Sequence, residues 1–351
     1  MRGGPVDPIL SEITSKMTRE EKLALVAELK AAIADEMASD ALAGADGRAG
    51  ACPRCGCGRS ARKGRGRSGE QRRLCRGCGR TWSAKTLGLL SRSKLPASAW
   101  MAFAECMADG LSLRESARRC GVSLYTAWFM RMRVCEVMAA RTPAPRAGEF
   151  QVDELLVREN LSGNHSRSEP FAMPRRRHRN GQGGRRGQKG RSKRSFCVLC
   201  GVNELGDVSA LGERGAIGAG DAGLALLAAV PRGSSFVTDD NPAYVGATAG
   251  WAAHRSVKAG GPAAADISAV NALHSRLRGF LAPMHGVSTR RLQRYLDWFC
   301  WREQFKRGGR DRRQLLFRHE AEGEYFYTRR ITHIEPHPDY SWWVRQMSTV
   351  V

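Results

Sequence analysis

The stretch Phe150-Gln151-Val152-Asp153-Glu154-Leu155-Leu156-Val157 reads as a short β-strand with an acid set into it. Asp153 follows Phe150 and Val152, at a position where burial should exclude charge. A carboxylate held there needs a cation or a hydrogen-bond cluster. A later stretch, Ser235-Phe236-Val237-Thr238, also reads as a strand and ends on Asp239. Two carboxylates from neighbouring strands can hold two Mg²⁺ ions about 4 Å apart, the arrangement used for in-line phosphoryl transfer. Taken alone, the pair leaves other readings open: Asp239 as the cap of a following helix, Asp153 as a solvent-facing side chain.

Around these strands the pattern predicts a mixed α/β order. Ser195–Val202, Asp207–Leu211 and His254–Val257 read as further strands, and Ala222–Val230 as helical. Ile267–Leu281 is a predicted helix with Val270, Leu273, Leu277 and Phe280 on one face. Ser288–Phe305 is a second, with Leu292, Tyr295, Leu296 and Phe299 inward and Trp298 and Trp301 as core. Upstream, residues 18–40 read as a helix opened by a Thr18/Glu21 capping box, suited to packing or dimerisation. Residues 41–50 read as a linker, and residues 95–140 as helices. Thr142-Pro143-Ala144-Pro145 reads as a domain boundary, because prolines favour extended chain. No internal repeat is visible.

Composition narrows the partner. The chain has 351 residues, with 57 Lys and Arg against 34 Asp and Glu, a net of +23. Residues 1–46 carry nine acids and five bases, so the other 305 residues hold +27. A fold does not need that excess, and its usual partner is a polyanion, most often nucleic acid. The longest uncharged apolar run, Ala222–Val230, is far short of the ~20 residues of a membrane span. Met1-Arg2-Gly3-Gly4-Pro5 leads into no apolar segment, so no signal peptide is read and a cytoplasmic, nucleoid-associated location is expected. The eleven cysteines, an odd number with several in pairs, read as metal ligands plus buried thiols in a reducing compartment.

Cys52-Pro53-Arg54-Cys55 and Cys75-Arg76-Gly77-Cys78 form two C-x₂-C knuckles separated by 19 residues. That spacing suits a tetrahedral thiolate site for structural Zn²⁺, with Trp82 as apolar cover. Cys57 could replace Cys55, at the cost of a less usual spacing. The intervening loop carries Arg59, Arg62, Lys63, Arg65, Arg67, Arg72 and Arg73, which fits contact with phosphates. Cys197 and Cys200 form another half-motif but lack a second pair, so they read as strand core.

Residues 112–132 have helix-turn-helix spacing. Ala117 is small where two helices approach, Gly121 sits at the turn, and Ser123 can cap the second helix. Leu124–Met132 is then the recognition helix, with Tyr125, Thr126 and Arg131 able to meet bases or phosphates. A plain helical hairpin has the same spacing.

In order along the chain, these motifs resemble bacterial insertion-sequence transposases of the DDE class, in the subgroup with an N-terminal zinc ribbon. The likeness rests on Cys-Pro-x-Cys-Gly with Cys-x-x-Cys-Gly-x-Thr-Trp, the helix pair, Val152-Asp153-Glu154, a Gly/Arg/Lys-rich insert and Thr238-Asp239 with Tyr244. It continues through Val270-Asn271-Ala272-Leu273-His274, His285-Gly286-Val287-Ser288 and Leu292-Gln293-Arg294-Tyr295-Leu296, covering residues 50–305. The resemblance implies an RNase H-like catalytic domain with Asp153 and Asp239 as its first two acids, holding Mg²⁺ or Mn²⁺. The third position, Glu in many members, is His274 here. Imidazole favours softer metals than Mg²⁺, so His274 is expected to ligate Mn²⁺, act through a metal-bound water or position DNA, with Asn271 one turn away sharing the role. Glu154, Asp240 and Asp266 rank below these as substitutes.

The insert at 175–194 has ten Arg or Lys and no acid. Its Arg175, Arg176, Arg177, Arg185, Arg186 and Lys189 are expected to follow a DNA backbone. The resulting division is 1–45 helical, 46–90 zinc ribbon, 91–145 helix-turn-helix, 146–310 catalytic and 311–351 tail. The expected activity is cleavage of element ends and strand transfer into double-stranded DNA, by a homodimer or larger assembly. Its rival is a non-catalytic DNA-binding regulator, or an inactive copy, which would not need two strand-embedded aspartates.

Overall fold

The computed structural model describes residues 8–48, 50–66, 71–83, 93–158, 195–213, 230–242, 253–258, 267–307 and 311–322, with 86, 88, 89, 160 and 244. It is a mixed α/β chain in two compact units. One takes the described residues through Asp109 and those from Arg313 onward; the other takes those within Gly110–Arg312.

In the first unit, α1 (Pro8–Lys16) and α2 (Arg19–Arg48) precede the ribbon. The capping box forms: the Glu21 amide donates to Thr18 Oγ1 at 3.3 Å, and the Thr18 amide to Glu21 Oε2 at 2.7 Å. The expected linker at 41–50 is corrected, because α2 runs on to Arg48. Alanine loses no side-chain entropy in a helix, and Ala38, Ala41, Ala43 and Ala45 together outweigh Gly44 and Gly47. Strands β1 (Ser60–Arg65), β2 (Gln71–Cys75) and β3 (Thr81–Trp82) form an antiparallel sheet in that order. Helix α3 (Ala97–Asp109) buries Trp100, Phe103, Ala104 and Met107, and Lys30 of α2 pairs with its Glu105 at 3.2 Å.

The second unit opens with α4 (Leu113–Arg119) and α5 (Leu124–Arg141). Ser112 Oγ accepts the Glu115 amide and Ser123 Oγ accepts the Thr126 amide, so each helix starts on a serine cap. Gly121 turns between them at φ +61°, a left-handed conformation that side chains resist. The Thr142–Pro145 segment then leads to a five-stranded sheet inside the same unit. Its strands are β4 (Glu149–Arg158), β5 (Ser195–Asn203), β6 (Val208–Glu213), β7 (Ser235–Asp239) and β8 (His254–Val257), in the order β6-β5-β4-β7-β8. The β6-β5-β4 pairings are antiparallel, and β4-β7-β8 are parallel.

Strand alternation gives the sheet two faces. Phe150, Val152, Cys197, Leu199, Phe236 and Tyr244 form a buried cluster on one. The other carries Gln151 and Asp153, which pair with Val202 and Cys200. Helices α6 (Ser268–Leu281) and α7 (Leu292–Gln304) follow the sheet, α7 entered through a short 3₁₀ turn. Val270, Leu273, Leu277 and Phe280 are buried, as their helical spacing predicts, and so are Trp298 and Trp301. A last helix, α8 (Arg312–Glu322), buries Leu316 and Phe317. The segment predicted helical at 222–229 lies outside the described residues.

Candidate functional site

The four paired cysteines meet. Cys52 Sγ lies 3.7 Å from Cys78 Sγ, and Cys55 Sγ lies 3.5 Å from Cys75 Sγ. All four ligand atoms fall within 4.8 Å of one another, the one such group among the described residues. The two knuckles share a hydrogen-bond pattern. The amides of Cys52 and Cys75 donate to the carbonyls of Cys57 and Arg80, and those of Gly56 and Gly79 return to Cys52 and Cys75. Gly56 and Gly79 make these turns at φ +70° and +69°. Gly77 and Cys78 amides point at Cys75 Sγ at 3.3 and 3.4 Å. Amide hydrogen bonding, from Arg54 first, lowers the Cys52 thiol to about 7, which favours the thiolate. Trp82 packs with Cys52 and Cys75 as the expected apolar cover. Cys57 stands outside the group, its Sγ 3.8 Å from the Arg59 carbonyl. Four soft thiolates at this spacing could hold a zinc ion.

The acid pair arises from strand register. β4 and β7 run parallel with Val152 opposite Thr238, so the next residues on each strand, Asp153 and Asp239, stand side by side on one face. Burial is the main reason the Asp153 carboxyl is raised to about 6. The Glu154 amide, donating to its Oδ1 at 2.8 Å, works against this, and the Asp239 charge adds to it. Asp239 receives the Asn241 amide at 3.3 Å. Glu154 faces the opposite side of the sheet, accepts from Asn241 Nδ2 at 3.2 Å, and is also raised, chiefly by burial. Asp240 is exposed, and Asp266 lies outside the described residues.

His274 comes from α6. It is 4% exposed, with Nδ1 3.7 Å from Asp153 Oδ2. Burial, helped by the Arg278 cation, lowers it to about 4, so the ring is neutral at pH 7. Its Nε2 has no hydrogen-bond partner among the described residues. Asn271 is exposed three residues earlier.

Two contributors escape sequence reading. Gln151 Oε1 accepts the amides of Ala269 and Val270 at 2.8 and 3.1 Å, capping α6 from β4, whereas Ile267 supplies no side-chain cap. Its signal is a polar residue two before Asp153, on the same strand face. Arg278 lies one turn beyond His274, and its charge is felt at both Asp153 and His274.

Of the expected DNA contacts, Tyr125 is 67% exposed at the start of α5 and Thr126 is half-buried beside it. Arg131 is corrected. It is 1% exposed, donates to the Leu111 carbonyl at 2.7 Å and lies 4.9 Å over the Trp298 ring. A buried guanidinium needs such partners, and they turn it away from solvent. Arg175, Arg176, Arg177, Arg185, Arg186 and Lys189 lie outside the described residues. Cys197 and Cys200 are buried strand residues, as expected.

No helix among the described residues is long and apolar enough to cross a membrane. No known family matches the chain, and no curated protein matches it. Among solved structures, a pre-cleavage Mos1 transpososome is similar at 13% identity over 67% of this chain and 82% of that one, with a TM-score of 0.26. A likeness at that level is too weak to carry an argument.

Proposed function

We propose that the chain is a DNA transposase of the insertion-sequence type, with an RNase H-like catalytic domain built on β4 to β8, α6 and α7. The observation that carries the reading is the parallel register that sets Asp153 beside Asp239, under a buried His274, in a chain of net charge +23. Two adjacent carboxylates, one raised by burial and by its neighbour, form a site whose unbalanced negative charge a cation would relieve. Asp153 and Asp239 are hard oxygen donors for Mg²⁺ or Mn²⁺, and the unpartnered Nε2 of neutral His274 suits Mn²⁺ better than Mg²⁺. Bound there, divalent ions would supply an activated water and stabilise the leaving oxygen.

The protein's own part is positional. Gln151 holds the start of α6 to β4, and α6 holds His274 against Asp153. The reaction is cleavage of the phosphodiester at an element end, then in-line attack of the freed 3′-hydroxyl on target DNA. The zinc ribbon and helix pair would read the ends, through Tyr125, Thr126 and the arginines of the β1–β2 hairpin, while the basic insert would follow the backbone. A synaptic dimer would pair two ends.

The test is strand transfer of labelled element-end DNA into plasmid with Mg²⁺ or Mn²⁺. The wild type is compared with Asp153→Asn and His274→Ala. Loss of joined product in Asp153→Asn, with end binding retained, is the expected result. Tight end binding with no joining by the wild type under either metal would leave the regulator as the better reading.

A further inference from the structure

We infer that a seam between α5 and α7 holds the recognition helix at one offset from the acid pair, and that this offset selects which phosphodiester reacts. The inference rests on the transposase function proposed for the acid pair.

A helix-turn-helix is commonly an autonomous module on a linker, free to shift against the neighbouring domain. Here α5 is tied to α7 by side chains at several levels. Arg131 of α5 lies over Trp298 of α7 at 4.9 Å while bonding the Leu111 carbonyl that leads into α4. Arg294 of α7 pairs with Glu136 at 2.7 Å and donates to the Met132 carbonyl at 3.2 Å. Arg291 lies 5.5 Å from the Trp128 ring.

The ties continue inward. Trp298 meets Phe280 of α6 edge-on at 4.9 Å, and Arg276 of α6 pairs with Glu303 of α7 at 2.9 Å. The first turn of α6 is pinned by Gln151, two residues before Asp153 on β4. An unbroken line of specific contacts thus runs from α5 through α7 and α6 to the acid. Tyr125 and Thr126 stand on the same helix as Arg131, about one and a half turns upstream.

Successive phosphates on a DNA strand are ~3.4 Å apart along the axis. A seam packed like a protein interior permits less slack than one such step. A helix docked on DNA by Tyr125 and Thr126 therefore presents a single phosphodiester to Asp153 and Asp239. Arg131 and Arg294 are positioning residues in this scheme, because the contacts they make lie within the seam.

The test maps cleavage at nucleotide resolution on an end-labelled element-end duplex. It uses the full chain with Mn²⁺, comparing wild type, Arg131→Met and the partly exposed Arg294→Met. The expected result is one cleavage position for the wild type. The variants should bind the duplex within about twofold of it, as changes remote from the contact do, but spread their cuts over neighbouring phosphodiesters. Variants that bind normally and cut only at the wild-type position overturn the inference. Native-state hydrogen exchange without DNA supplies a second readout. The amides of α5 and α7 should open as one cooperative group in the wild type and separately in the variants. Independent opening in the wild type also overturns it. A wild type that binds but cuts nowhere removes the functional reading and the register with it, while the exchange result still reports whether the seam exists.

Discussion

Replacing Gln151 by Ala removes two hydrogen bonds from the first turn of α6 and leaves the strand otherwise intact. The amides of Ala269 and Val270 lose the one side-chain acceptor they have among the described residues, since Ile267 offers none. Loss of a helix cap costs ~0.5–2 kcal/mol, and a part-buried amide left without a partner adds to it, so about 1–2 kcal/mol is expected. With a urea slope of ~2 kcal/mol/M for a unit of this size, the midpoint should fall by roughly 0.5–1 M. The assay is urea unfolding monitored by tryptophan fluorescence, which Trp298 and Trp301 report from the core of the same unit. Gln151→Glu is the internal control. Its carboxylate accepts the same two amides and favours the positive end of the helix, so stability should be kept. A Gln151→Ala midpoint equal to wild type, or equal losses in the Ala and Glu variants, would refute the assignment of Gln151 as the cap.

The same geometry sets other expected outcomes. The folded-state pKa of Asp153 is raised from 3.8 to about 6, so its ionisation opposes folding; full stability is present below pH 3.8 and is lost as pH rises through 6. Without divalent metal at pH 7.5, Asp153→Asn should therefore gain up to about 3 kcal/mol, with the gain gone at pH 4 in the same melts. Cys78→Ser should lower zinc content from about one ion per chain to near zero, read by elemental analysis. The ribbon strands should then lose their amide protection, because so small a sheet depends on its metal. Gly121→Ala should cost about 1 kcal/mol by denaturant titration. A Cβ there meets nothing within 4 Å, so the cost is conformational, and Gly121→Asn should cost less.

The acids were legible because a charge inside a run of apolar strand residues is conspicuous, and the four-cysteine cluster because its spacing is a geometric statement. What joins Asp153 to Asp239 is the pairing of β4 with β7, a long-range register that neither stretch encodes alone. Gln151 was unreadable as a cap for the same reason: the helix it serves lies more than a hundred residues downstream. Arg131 was misread because a cation on a predicted recognition helix is assigned to solvent by default. Only the packing of α7 over that face reveals a buried partner in Trp298. The tract at 41–48 looked like a linker because its two glycines and Asp46 drew attention, although its alanines decide the backbone.

The hairpin formed by β4 and β5 has an evolutionary consequence. Its ladder runs unbroken from Phe150 opposite Asn203 to Arg158 opposite Ser195, so it is closed before residues 159–194 begin. Asp153 sits in the middle of that ladder and is located by it. Each doubling of a connecting loop costs only ~0.6 kcal/mol of closure entropy. The length and sequence of the connection between the two strands can therefore change over generations without shifting Asp153, whose place is set by the ladder itself.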